Sequence, residues 1–181
     1  MGKARIIYTF EKSDDKTDFF EELVFGKMGI ARLAFTNDET EAYQRCAYQL
    51  KQLCLGMEMP VSILMDIQET NETREQMKEN ILFSIKENVD YVTTSFIHSG
   101  KQARKVRELL NENGGTEISL IVKIEDGQEN EEIDAILEAA DGVMVESDPC
   151  MLKRTIMKKA FDARKILITT TQMLDFRVSS S

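Results

Sequence analysis

The stretch IVKIEDGQENEEIDAILEAADGVMV, Ile121 to Val145, decides the fold. Ile118 to Ile124 is a β-branched apolar run of strand length, and an acidic turn follows it. Glu131 to Ala140 reads as a helix. Gly142 to Val145 reads as the next short strand. Two strands joined by a crossover helix pair in parallel, because no tight hairpin can link them. This segment is therefore one βαβ unit.

The same alternation continues outward in both directions. Toward the amino end, strands are expected at Ala4–Phe10, Gly29–Phe35, Val61–Asp66 and Asp90–Ile97. Helices are expected at Thr17–Lys27, Glu39–Leu55, Thr73–Asn88 and Gly100–Asn113. In the second helix Ala42, Cys46, Leu50 and Leu53 form the apolar stripe. Thr73 and Gln76 make a capping-box pattern for the third. Gly114 and Gly115 stop the fourth. Toward the carboxyl end, Pro149 opens a helix reaching about Arg164. Ile166–Thr171 is a seventh strand. Seven βα-type alternations with no linker leave an open doubly wound sheet or a (β/α) barrel. No GxGxxG or Walker pattern follows a strand, which disfavours the nucleotide-binding open sheet. Asp66, Lys123 and Glu125 appear where apolar strands end, as at the mouth of a barrel.

Composition narrows the function classes. The net charge of −9 argues against nucleic acid or an anionic membrane as partner. Lys101, Arg104, Lys105 and Arg107 form a local basic group, read as a solvated helix face. Cys46, Cys54 and Cys150 show no metal-ligand spacing and read as free thiols, with Cys46 and Cys54 on one helix face. MGKARIIYTF is too short in apolar residues for a signal peptide. Ile6 stands where a myristoylation signal needs Ser or Thr. A cytoplasmic location is expected, with attachment to the cytoskeleton as one option.

Four segments in order resemble the pyruvate kinase family: KMGIARLAFT (Lys27–Thr36), VDYVTTSFI (Val89–Ile97), the Ile121–Val145 stretch and ITTTQML (Ile168–Leu174). The resemblance implies an incomplete TIM-type (β/α) barrel of about seven parallel strands over residues 1–174. Residues 175–181 form a tail. It implies phosphoryl transfer between phosphoenolpyruvate and ADP, with Mg²⁺ and K⁺. By matching position, Arg32 contacts phosphate and Lys123 stabilises enolate and phosphoryl charge. Glu125 holds Mg²⁺, and Thr171 lies on the proton path. Asp66 and Thr36 belong to the K⁺ site. Preorganised cations are what an anionic phosphoryl transition state requires.

The departures point away from catalysis. Ala34 and Ile67 stand where the family has asparagine and threonine at the K⁺ site, so two oxygens are lost. The family's Arg-Gly-Asp-Leu-Gly run reads ESDPC. Pro149 falls opposite the second Mg²⁺ carboxylate and Asp148 lies one residue early. Glu11-Lys12 replaces a Gly-Pro turn, and Arg74 is one place late. The lid domain is replaced by Ile67–Glu72, and the eighth strand and C-terminal domain do not follow. Both metals are expected to bind weakly or not at all. The reading is a pseudoenzyme, a structural or binding component of a larger assembly. Its open edges would be covered by a protein partner or a second copy. A residual pyruvate kinase, or a sensor of phosphoenolpyruvate or a 2-oxo acid, is the alternative.

Overall fold

The computed structural model describes residues 6–10, 28–36, 40–57, 60–68, 74–94, 97–124, 130–145 and 151–169. Seven strands run in parallel in chain order: β1 (Ile6–Phe10), β2 (Met28–Phe35), β3 (Ser62–Ile67), β4 (Tyr91–Thr94), β5 (Ser119–Ile124), β6 (Gly142–Val145) and β7 (Ile166–Thr169). Five helices cross between them: α1 (Thr40–Met57), α2 (Arg74–Lys86), α3 (Gly100–Glu112), α4 (Asn130–Ala139) and α5 (Met151–Asp162). The sheet curls into an incomplete TIM-type barrel, as the alternation of elements predicts. Among the described residues, β1 and β7 are its edges and do not pair with each other. The expected helix at Thr17–Lys27, the Thr73 cap, Pro149, Cys150 and the tail lie outside the described residues.

Strand alternation sorts the side chains onto two faces. Ala31, Leu33 and Phe35 of β2, Ile63, Met65 and Ile67 of β3, and Leu120, Val122 and Ile124 of β5 enter the outer core beneath the helices. Phe35 and Phe83 stack at 4.9 Å, and Tyr43 meets Phe35 edge-on at 5.5 Å. The opposite face holds a separate cluster of Ile30, Leu64, Ile121, Met144 and Ile168, with Ile7 and Tyr91 packed against it. That cluster is the apolar floor of the barrel interior.

Polar bonds organise the amino ends of the strands. Asp90 Oδ2 accepts from Ile63 N at 2.7 Å, and Asp141 Oδ2 accepts from Leu120 N at 2.8 Å. Each aspartate thus satisfies the second amide of the preceding strand. Lys51 donates to Glu87 O at 2.5 Å, Arg107 to Ile118 O at 3.0 Å and Lys165 to Ala140 O at 2.8 Å. Three helices stop in the same way, with a left-handed residue and a six-to-one bond. The left-handed residues are Asn88, Gly114 and Arg164. The bonds run Val89 to Ser84, Gly115 to Leu110 and Lys165 to Ala160.

Two sequence expectations are corrected. In α1, Cys46, Leu50 and Leu53 pack in the core as expected, joined by Tyr43 and Ala47, whereas Ala42 is exposed. Tyr43 reaches the Phe35–Phe83 pair. Of the expected strand Asp90–Ile97, Tyr91–Thr94 forms β4, and residues 95 and 96 lie outside the described residues. Arg107 leaves the basic group: Lys101, Arg104 and Lys105 are exposed, but Arg107 pairs with Asp141.

Gly100 sits where α3 meets α4. A Cβ there would stand 2.4 Å from Ala135 Cβ and 2.7 Å from its backbone carbon. The Gly100 amide also donates to Glu132 Oε2 at 2.9 Å, so the first turn of α3 is tied to α4. Gly100→Ala is expected to lower stability by about 1–3 kcal/mol, the usual cost of overpacking. Urea denaturation measures it, and unchanged stability would refute the close helix contact.

Candidate functional site

The inner face changes character one step above its floor. Two residues beyond Ile30, Leu64, Tyr91 and Ile121 lie Arg32, Asp66, Thr93 and Lys123. The period of two keeps each on the barrel interior. An apolar layer is therefore overlain by a polar one toward the carboxyl ends of the strands, where barrels of this class place their sites.

Asp66 is the centre of that layer and is 0% exposed. Arg32 Nε donates to its Oδ2 at 2.9 Å, and an Arg32 terminal nitrogen does so at 2.6 Å. Lys123 Nζ donates to Oδ2 at 3.2 Å and stands 2.9 Å from Oδ1. The Oδ1 contact is an ion pair without hydrogen-bond alignment, so Oδ1 has no directional donor. Gln68 Nε2 lies 3.5 Å from Oδ2 at the rim. The side chains of Arg32 and Lys123 are 12% and 10% exposed. Two cationic side chains thus meet one buried carboxylate.

The residues singled out in the sequence divide accordingly. Arg32, Asp66 and Lys123 come together. Thr36 is half-buried just beyond β2. Glu125, Asp148 and Thr171 lie outside the described residues. Ala34 stands opposite Asp66 in the β2–β3 register, and its methyl offers no oxygen. Ile67 is fully buried in the outer core, so its side chain points away from the interior altogether. A monovalent cation held by Asp66 and Thr36 does not fit this arrangement. Both oxygens of Asp66 face cationic groups within 3.2 Å, and a further cation would meet them as like charges. Among the described residues, no three His, Cys, Asp or Glu gather as a metal would need.

Sequence reading missed Thr93. It occupies β4 between the strands of Asp66 and Lys123, is 0% exposed, and its hydroxyl has no hydrogen-bond partner. The signal was present in the two-residue step from Tyr91, the same step that marks Arg32, Asp66 and Lys123. Cys54 is half-buried, and burial pushes its thiol pKa up, which suits packing better than nucleophilic chemistry.

Residues 69–180 match the family model for the pyruvate kinase barrel domain. The chain is 37% identical over 111 residues to pyruvate kinase of Clostridium acetobutylicum, covering 56% of this chain and 24% of that protein. It is 36% identical over 112 residues to the enzyme of Sporosarcina psychrophila, covering 56% and 19%. With that of Clostridium perfringens it shares 37% over 112 residues, covering 56% and 23%. The chain thus spans a quarter or less of the length of these relatives.

Removing the carboxylate while keeping its shape isolates its role. Asp66→Asn leaves two cations buried side by side and is expected to cost about 3–5 kcal/mol, the penalty for breaking a buried ion pair from one side. Denaturant midpoints measure it. Adding Arg32→Met to that variant should recover part of the loss, and a further additive loss would show that repulsion is not the cause.

Proposed function

The chain belongs to the pyruvate kinase family through its barrel domain, and from that premise we propose that it binds an oxyanion without transferring a phosphoryl group. The observation that carries this reading is the buried Arg32–Asp66–Lys123 triad. Arg32 and Lys123 are the cations that the family resemblance assigns to phosphate and enolate. Here both contact Asp66, two cationic side chains to one carboxylate. A phosphorylated or 2-oxo acid suits that field.

Turnover needs more than attraction. Phosphoryl transfer depends on cations placed before reaction in a dry site. Ala34 contributes no oxygen beside Asp66, and Ile67 is turned into the outer core. Residues 68–73 alone join β3 to α2, too short a connection for a domain that closes over the mouth and excludes water. Mg²⁺ binding, where the family would use Glu125 and a carboxylate near Asp148, is part of the alternative, catalytic reading.

A role in a larger cytoplasmic assembly rests on a second observation. β1 and β7 are edge strands among the described residues, and both carry exposed isoleucines, with Ile6 61% and Ile166 36% exposed. Open apolar edges favour association. A partner protein or a second copy is the proposed cover.

Two measurements test these statements. A coupled pyruvate-formation assay with Mg²⁺, K⁺, phosphoenolpyruvate and ADP should give no rate above a Lys123→Met control. Turnover abolished by that substitution would overturn the non-catalytic reading. Calorimetry should detect phosphoenolpyruvate binding, weakened at least about tenfold by Lys123→Met, the loss of a charge-assisted contact. Mass measurement in solution should find a dimer or larger species. A compact, soluble monomer would count against the assembly.

A further inference from the structure

Thr93 is the one member of the polar inner layer from β2 to β5 that makes no polar contact. Its hydroxyl is buried and unpartnered, and so, in hydrogen-bond terms, is Asp66 Oδ1. The two residues are register partners on adjacent parallel strands and share the inner face. Neighbouring strands lie about 4.8 Å apart, so a threonine hydroxyl reaches a carboxylate in this position by rotation about χ1.

The strand order explains why that bond is not made. Lys123 is on β5 and Asp66 on β3, with β4 between them. To bring Nζ within 2.9 Å of Oδ1, the Lys123 side chain crosses the strand that carries Thr93. The lysine satisfies the charge of Oδ1. A buried hydroxyl without a partner is destabilising, and valine would fill the same volume in a strand without that loss. A group that is unsatisfied in one state points to a second state in which it is satisfied.

We propose that Thr93 is a positioning residue for Lys123, a reserve donor to Asp66. When Lys123 turns from Asp66 to an oxyanion, the Thr93 hydroxyl donates to Asp66 Oδ1 in its place. The buried carboxylate then keeps two partners, Arg32 and Thr93. Lys123 is released without leaving a bare acceptor in the interior. The turning of Lys123 rests on the oxyanion-binding reading above; the Thr93–Asp66 contact does not.

A double-mutant cycle in urea separates the two ideas, because it needs no ligand. Thr93→Val in the wild-type chain should leave the unfolding midpoint unchanged or raise it. In a Lys123→Met background the hydroxyl is already engaged. There Thr93→Val should raise the unfolding equilibrium constant by about tenfold or more, as for the loss of a hydrogen bond to a charged group. Thr93→Ser should restore stability in that background, which a purely steric role would not produce. Equal effects of Thr93→Val in both backgrounds would overturn the proposal. Should Lys123→Met not fold, Lys123→Gln serves in the same cycle with the same two outcomes. Calorimetry with inorganic phosphate then reads the function. Thr93→Val should weaken binding by about tenfold and Thr93→Ser should not. Unchanged affinity in Thr93→Val would overturn the release step. A wild-type chain that binds neither phosphate nor phosphoenolpyruvate would remove the oxyanion reading and the release step with it. The cycle would still decide the contact.

Discussion

A carboxylate with no solvent exposure lies at the middle of this half-barrel, and the arrangement around it follows from the need to keep it charged. An isolated ionised group in the interior is disfavoured by several kcal/mol, and only close counter-charges make it tolerable. Asp66 meets that need from two sides, Arg32 on β2 and Lys123 on β5. The contacts join strands that are not all neighbours, since β4 lies between Asp66 and Lys123. The triad therefore sets the curvature of the inner face as well as its charge. Flattening the sheet would draw β5 away from β3 and strip Asp66 of one cation.

On the proposed reading the same layer serves structure and recognition, and the two demands compete. A cation held by Asp66 contributes to the fold but is less available to a ligand. A cation turned to a ligand weakens the pair beneath it. The amino ends of the strands carry no such conflict. Asp90 and Asp141 bind strand amides, and Lys51, Arg107 and Lys165 bind carbonyls. Those bonds saturate backbone groups that have no further use. Among the described residues these backbone bonds lie at one end of the barrel and the buried charges toward the other.

Much of this was legible in the sequence, and the gaps have physical causes. The strand–helix alternation was plain because strand runs and helical runs differ in length and spacing. Asp66 and Lys123 stood out as charges ending apolar runs. Their pairing could not be read, because it joins residues 57 apart in the chain. Ile67 was read with the site because it follows Asp66, yet adjacent strand residues face opposite sides and its side chain is in the outer core. Ala42 was assigned to the buried stripe of α1 on periodicity alone, while the neighbouring Tyr43 takes the buried place against Phe35. Thr93 was passed over because threonine is common in strands. Only its burial, and the absence of any partner, set it apart.

The substitutions at the family's cation position acquire a meaning from the triad. An exchangeable ion and a tethered guanidinium both neutralise a carboxylate, but they differ in what they leave behind. The ion takes its ligands from several groups and needs oxygens at each. Arg32 brings its charge on its own strand and needs only the oxygens of Asp66. Ala34, opposite Asp66, and Ile67, turned outward, supply no side-chain oxygen to a free ion. Arg32 is brought to Asp66 by the pairing of β2 with β3, so its charge is placed there by folding rather than by ionic conditions.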